Sequence, residues 1–241
     1  MVGINLNILD VCTSTNDIAF KAALNGKLEG SSYLAYIQTK GRGRNQNKWT
    51  SMKGNLFLST IIKPKSIRSF WYQLSVIVGL SIIQVLIDLG VNKNLIELKW
   101  PNDVLVDRKK ISGVLLESSE NFIIVGIGLN ILKTPNAETK WITTKLNDYI
   151  KASYTTEEIG LKILKKIFDN YLIWEKFGFS YFKKDLNENI SNVNDKIIIR
   201  INSKSNPLTG VFLGLGDNGG LKIKTKSKIT EHFSLESFSF G

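Results

Sequence analysis

Residues 99–131 read KWPNDVLVDRKKISGVLLESSENFIIVGIGLNI, and this stretch decides the fold class. Short runs rich in β-branched residues alternate with turn-forming residues, a pattern typical of consecutive strands. Hairpin turns are predicted at 107–110 and 118–121. The strands predicted in and just before this stretch are 96–100, 104–106, 111–118 and 122–131. The stretch therefore predicts a sheet built largely from hairpins.

The sequence before and after this stretch adds further strands and helices. Predicted strands cover 4–11, 33–38 and 55–62. Predicted helices cover 16–24, 67–89 and a segment from Thr155 to about 168 or as far as 184. Ser14 or Thr15 is expected to cap the first helix and Gly26 to end it, and Thr155 and Glu158 have the spacing of a capping box. These elements predict an α+β fold with a mixed β-sheet and packed helices.

The C-terminal part has a different pattern. A polar, Asn-rich segment at 187–195 precedes short β-like runs at 196–201, 210–215, 221–225 and 233–238. Asp217-Asn-Gly-Gly220 is a strong hairpin signal. We therefore expect a main domain over residues 1–188 and a small β-barrel domain over residues 189–241.

Composition excludes several classes of protein. The longest apolar stretch, Val76 to Ile87, is too short to span a membrane, and no secretory signal is visible, so a cytoplasmic protein is expected. Cys12 and His232 are the single cysteine and the single histidine. They cannot form a disulfide, a zinc site of usual composition or a Ser-His-Asp triad. We expect Cys12 to be a small buried hydrophobic residue.

Positive charge is concentrated in one part of the chain. The net charge is +11, and residues 30–87 contain no Asp or Glu. The same residues carry eight cations, namely Lys40, Arg42, Arg44, Lys48, Lys53, Lys63, Lys65 and Arg68. A field of one sign attracts anions, so a nucleotide, a nucleic acid or an acidic protein is expected as a partner.

The segment Gln38–Trp49, QTKGRGRNQNKW, is the first candidate site. Glycines allow backbone amides to approach an anion closely, and Arg42 and Arg44 could each bind a carboxylate or phosphate through two hydrogen bonds. Taken alone, the pattern is equally consistent with a nucleic-acid contact or with an exposed loop. The Walker A pattern is absent.

Further candidates lie within residues 99–131. Pro101 ends a strand, so Asn102 and Asp103 are presented at its terminus, where Asp103 could hold a metal, orient an amine or simply form a turn. Gly113 within a strand suggests close approach of a ligand or of another backbone. Gly126-Ile-Gly128-Leu-Asn130 places two glycines in a buried strand, which is typical of a ligand-binding face or of sheet curvature.

In this order, these motifs resemble the biotin–protein ligase family. The shared elements are GRGRxxxxW, KWPND, K(I/L)xG(I/V)LxE and GIGxN, and Thr13-Ser-Thr-Asn16 matches an early STN element. The resemblance is close over residues 8–131 and looser in the C-terminal part, where it implies an SH3-like barrel. It implies that ATP and Mg²⁺ activate biotin as an adenylate, which then biotinylates a lysine of a biotin carboxyl carrier protein.

The resemblance also implies roles for individual residues. Biotin would be bound by Ser14, Thr15, Asn16, Gln38, Gly41, Arg42, Lys110 and Gly113. The adenylate would be bound by Arg44, Trp49, Lys99, Asn102 and Asn130. Lys110 and Arg42 would offset the repulsion between the biotin carboxylate and ATP, and Asp103 would orient or deprotonate the acceptor amine. Arg44 would lie in a loop that closes over the intermediate, and the ligands of Mg²⁺ are not indicated.

Two features depart from the family pattern. Asn45, Gln46 and Asn47 follow GRGR, where family members often continue with Arg-Gly-Arg. No helix-turn-helix precedes the first strand, so repressor activity and specific DNA binding are not expected. Family members occur as monomers and dimers, which leaves a homodimer open.

Two alternatives remain at this point. A lipoate or octanoate ligase shares the fold, but would lack KWPND and GRGRxxxxW. A non-enzymatic nucleic-acid-binding module would use the basic stretch, with Trp49, Phe57 and Trp71 as stacking residues.

Overall fold

The computed structural model describes residues 2–135, 142–201 and 206–233, with Gln46 and residues 237–240 described by their backbone alone. Within these ranges, no helix is both long and apolar enough to cross a membrane.

A seven-stranded mixed sheet forms the centre of the protein. Its strands are β1 (Asn5–Cys12), β2 (Ser31–Gln38), β3 (Leu56–Ile62), β4 (Ile96–Lys99), β5 (Asp103–Val106), β6 (Lys109–Ser118) and β7 (Ile123–Leu129). Their order is β1-β2-β3-β7-β6-β5-β4. β1 is parallel to β2, and the other neighbouring strands are antiparallel. The predicted mixed sheet and hairpin-built strands are confirmed.

Helices cover both faces of this sheet. They are α1 (Thr15–Leu24), α2 (Gln73–Asp88), α3 (Thr156–Phe177) and α4 (Lys183–Asn189). Ile61 and Ile124 pack with α1, whereas their neighbours Ile62 and Ile123 belong to the large core formed with α2 and α3. Successive strand residues point to opposite faces, so α1 covers the face opposite α2 and α3.

One helix, α2, starts later than predicted, whereas the predicted start of α3 is confirmed. The apolar run predicts a helix from residue 67, but α2 begins at Gln73, because Ile67 is extended and a short 3₁₀ turn over Arg68–Phe70 follows it. The indole N–H of Trp71 donates to the carbonyl of Ser66 and holds this turn. The capping box is confirmed, since Thr155 and Glu158 exchange two hydrogen bonds at 2.8 and 3.1 Å.

The turn between β5 and β6 is shorter than predicted. Asp107 and Arg108 both have positive φ, at 53° and 60°, as the centre of a two-residue type I′ hairpin requires. Lys109 and Lys110 therefore belong to β6 and not to the turn. This difference matters because it places Lys110 on a strand, where its direction is fixed.

A second, antiparallel sheet forms the C-terminal part. Its strands are β8 (Lys196–Arg200), β9 (Leu208–Leu215), β10 (Leu221–Lys224), β11 (Ile229–His232) and β12 (Ser237–Phe240), in the order β11-β10-β9-β8-β12. The predicted hairpin at Asp217–Gly220 is confirmed between β9 and β10. Of the strand predicted at 233–238, residues 237 and 238 belong to β12, Phe233 follows the end of β11, and residues 234–236 lie outside the described residues. No closed barrel is found among the described strands.

The hairpin turn of the second sheet packs against the first. The indole N–H of Trp100 donates to the carbonyl of Gly219 at 3.3 Å, and the side chains of Tyr72 and Gln73 donate to the carbonyl of Asn218 at 2.6 and 2.9 Å. The two sheets therefore meet beside the KWPND segment. Cys12 was expected to be a buried core residue, but it lies at the end of edge strand β1 and is only half-buried.

Candidate active site

The candidate site lies on the α1 face of the sheet, over strands β6 and β7. Gly113 of β6 and Gly128 of β7 are directly paired. The indole of Trp49 lies over them, since a Cβ added at Gly128 would be 2.3 Å from this ring and one added at Gly113 would be 3.0 Å from it. The close approach predicted for Gly113 is thus made by a side chain of the loop between β2 and β3. The indole N–H of Trp49 is buried and has no hydrogen-bond partner among the described residues.

An ion pair borders this surface. The Nζ atom of Lys110 lies 2.6 Å from Oδ1 of Asp103, and both side chains are largely buried. The same Nζ atom lies 5.4 Å from the centre of the Trp49 ring. The register between β5 and β6 skips Ile111, which brings Lys110 to the face that carries Gly113. The structure therefore unites the cation, the carboxylate and the aromatic ring that the motifs suggested.

Two more cations lie near Asp103. Burial lowers the pKa of Lys99, with a smaller effect in the same direction from Lys110 and an opposing one from Asp103. Desolvation also lowers the pKa of Arg44, again against the attraction of Asp103. Three cationic side chains thus surround one carboxylate, an arrangement suited to binding phosphate and carboxylate oxygens.

Two asparagines in the proposed nucleotide set hold the surrounding backbone. Asn102 donates from Nδ2 to the carbonyl of Val114 at 2.8 Å, and its Oδ1 lies 3.4 Å from Nη1 of Arg44. Asn130 is buried and donates to the carbonyl of Thr144 at 3.1 Å. Asn55 was not singled out from the sequence, yet its Oδ1 accepts hydrogen bonds from three successive amides, those of residues 131–133.

Four of the residues proposed for biotin, Ser14, Thr15, Asn16 and Gln38, are clustered where α1 begins. Ser14, Thr15 and Asn16 are each 3% exposed. Thr15 donates from its amide and its hydroxyl to Oε1 of Gln38, at 2.8 and 3.1 Å. Ser14 is the N-cap residue of α1, but its side chain makes no capping hydrogen bond.

Ser59 of β3 connects this cluster and was missed at the level of sequence. Its Oγ atom lies 2.7 Å from Oγ1 of Thr15 and 2.6 Å from Oδ1 of Asn16. The adjacent hydroxyl residues Ser59 and Thr60 within an apolar run were the available signal, since buried hydroxyls need a partner.

Arg42 is placed differently from the free cation that the motif suggested. Its guanidinium forms two hydrogen bonds with Glu117, at 3.0 and 2.8 Å, and an ion pair with Asp17 at 2.7 Å. These carboxylates raise its pKa, with the hydrogen bond to Asp17 as the largest cause. Neither carboxylate was assigned a role from the sequence, although Glu117 closes the KISGVLLE motif.

Comparison with known proteins gives the family of this chain. Residues 8–131, about half of the chain, match the biotin/lipoate A/B protein ligase family, and the chain belongs to this family.

Individual relatives resemble the chain over most of its length. The bifunctional ligase/repressor BirA of Bacillus subtilis is 29% identical, over 98% of this chain and 74% of that protein. A biotin–[acetyl-CoA-carboxylase] ligase of Paracoccus denitrificans is 29% identical, over 88% of this chain and 90% of that one. The solved biotin protein ligase of Aquifex aeolicus, in complex with biotin and ATP, is 32% identical with a TM-score of 0.85, covering 98% and 99% of the two chains.

Proposed function

We propose that this protein is a biotin–protein ligase. It forms biotinyl-5′-AMP and pyrophosphate from biotin and ATP, and then transfers biotin to a lysine of a biotin carboxyl carrier protein. The Lys110–Asp103 pair beside the Trp49-covered glycines carries the proposal. The Aquifex aeolicus relative with biotin and ATP, and the carboxylase ligase of Paracoccus denitrificans, support it.

In the first step, a carboxylate oxygen of biotin attacks the α-phosphorus of ATP and pyrophosphate leaves. Both reactants are anionic, so the step requires cations aimed at the oxygens where charge develops. Lys110 supplies one such cation from a fixed strand position. Lys99 and Arg44 lie close to Asp103, the carboxylate that is paired with Lys110. Arg42 remains a proposed biotin contact, through the backbone of its loop, since its guanidinium is held by Glu117 and Asp17.

In the second step, the neutral amine of the acceptor lysine attacks the carbonyl carbon of the mixed anhydride. AMP leaves, and the amine loses one proton. Asp103 is 8% exposed and lies at the first position of β5, where it would orient this amine or accept its proton.

Magnesium is proposed as the partner of ATP and not as a resident metal. Among the described residues, no group of three or more His, Cys, Asp or Glu side chains could hold a metal ion. Mg²⁺ is commonly bound through substrate phosphates and one or two carboxylates, which this site allows. When bound, Mg²⁺ would neutralise charge on the phosphates.

The proposal also includes expectations about location, partners and domain structure. The protein is expected in the cytoplasm, with a biotin carboxyl carrier protein as its partner, no specific DNA site and a homodimer as an open alternative. The second sheet is expected to close as an SH3-like barrel, with the domain boundary at 188/189.

Exchange of labelled pyrophosphate into ATP tests the function. We expect exchange with biotin and none with lipoate or octanoate. Exchange that depends on lipoate or octanoate would assign the chain to the other branch of its family. Salt-sensitive nucleic-acid binding without any exchange would favour the binding module.

A further inference from the structure

Glu117 occupies an unusual position between two parts of the site. Through its two oxygens it binds Nε and Nη2 of Arg42, at 3.0 and 2.8 Å, and it accepts from Nδ2 of Asn16 at 2.7 Å. Arg42 belongs to the loop of residues 41–49, called here the glycine–arginine loop. Asn16 belongs to the first turn of α1. One carboxylate on a rigid strand therefore holds both segments at once.

The contacts continue from Asn16 back to the end of β2. Asn16 lies 2.6 Å from the Oγ atom of Ser59, which lies 2.7 Å from Thr15, and Thr15 donates to Gln38. Gln38 is the last residue before the loop that contains Arg42. The hydrogen bonds thus connect Glu117 with four of the residues proposed to bind biotin, namely Arg42, Asn16, Thr15 and Gln38.

Gly126 of β7 lies directly against the side chain of Asn16. A Cβ atom at Gly126 would lie 2.1 Å from Oδ1 of Asn16, so the amide of Asn16 rests directly on the glycine backbone. The site-facing positions Glu117 and Gly126 thus fix one asparagine from two sides, which leaves its amide little freedom.

The charges show that Arg42 does not act as a free anion clamp. One guanidinium pairs with two carboxylates, which gives these three groups a net charge of −1. Such a group does not attract the biotin carboxylate, which must then be drawn towards Lys110. It does hold the loop firmly, because bidentate pairs of this kind are both strong and directional.

We propose that Glu117 is a positioning residue for biotin binding: it fixes Arg42 and Asn16 together, and through them the glycine–arginine loop and the start of α1. The inference rests on the proposed function for the identity of the substrate. That Glu117 holds the loop and the start of α1 together does not depend on that function. Glu117 itself does not touch the reacting atoms.

The test compares Glu117→Gln with Glu120→Gln, a neighbouring exposed glutamate. In pyrophosphate exchange, Glu117→Gln should raise the KM for biotin roughly tenfold to a hundredfold, as expected for loss of a charged hydrogen bond, with little change in the KM for ATP. Glu117→Asp, which keeps the charge but shortens the reach, should recover part of the loss. Glu120→Gln should match the wild type.

Hydrogen exchange of the apo protein supplies a reading that needs no substrate. Glu117→Gln should speed amide exchange in residues 41–49 and leave the strands β3 and β7 unchanged. If the wild type shows no biotin-dependent exchange of pyrophosphate, the proposed function fails. The amide hydrogen exchange of residues 41–49 still tests whether Glu117 holds the loop. A wild-type KM for biotin together with wild-type protection of residues 41–49 would overturn it, and Glu117→Asp gives both readings if Glu117→Gln does not fold.

Discussion

The ammonium group of Lys110 lies 2.6 Å from the carboxylate of Asp103, and the two side chains are 16% and 12% exposed. Each side chain therefore gives the other a polar partner in place of water, because a charged group removed from water requires one. Any substitution at either position changes stability as well as chemistry.

Lys110→Ala should nearly abolish adenylate formation and also destabilise the protein. Removing one member of a buried pair costs roughly 3–5 kcal/mol, and somewhat less where water still reaches the site. The double variant Lys110→Ala/Asp103→Asn should recover much of the stability without recovering activity. Urea unfolding and single-turnover adenylate formation measure the two effects. Pyrophosphate exchange at the wild-type rate in Lys110→Ala would show that the assignment is wrong.

Arg44→Gly should still form the adenylate but release it early. The guanidinium approaches Asn102 at 3.4 Å, a long and weak contact that leaves it free to move with its loop. Ordering such a loop costs about 1–2 kcal/mol per residue, so each anchoring contact counts. The dissociation rate of preformed adenylate should rise, with biotin appearing on unrelated proteins. A wild-type dissociation rate without such labelling would contradict the role.

Gly128→Ala should disturb the site through one methyl group. The added Cβ would lie 2.3 Å from the Trp49 ring, so the indole must leave the glycine surface. Overpacking of this kind typically costs about 1–3 kcal/mol of stability, and the KM for ATP should rise if Trp49 contacts the nucleotide. Gly3→Ala is the matched control, because no atom lies within 4 Å of its added Cβ. Unchanged tryptophan fluorescence and KM in Gly128→Ala would count against this contact.

His232 should make stability depend on pH in a narrow range. Burial lowers its pKa from the ordinary value, with a smaller contribution from Lys228. The unfolded chain then binds the proton more readily, so stability is complete above the unfolded pKa of about 6.5 and falls as the pH drops through the lowered folded value. Thermal midpoints of the wild type and His232→Gln should diverge below about pH 6.5. Parallel profiles of the two proteins would exclude this effect.

Local patterns predicted several elements well because their causes are local. The capping box at Thr155 and the hairpin at Asp217–Gly220 depend on residues a few positions apart. The start of α4 was missed for the opposite reason. Residues 183–189, KKDLNEN, contain one apolar residue and so show no helical periodicity, and this helix is held by the burial of Leu186 against other parts of the fold.

The site shows the same division between features with local causes and features that depend on distant residues. Lys110, Asp103 and Trp49 could be proposed from motifs, and the structure brings them together. The pairing of Arg42 with Asp17 and Glu117 joins residues 25 and 75 positions apart, and no spacing rule connects them. A cation in a glycine-rich loop therefore looked free in the sequence, although the fold supplies its partners.

The contact between Trp100 and Gly219 has a consequence for synthesis of the chain. These residues are 119 positions apart, so the ribosome finishes the KWPND segment long before it makes the turn that supports it. Contacts this distant form late, after the entropy of closing a long loop has been lost. A nascent chain that already contains every proposed catalytic residue would still lack one support of its active site.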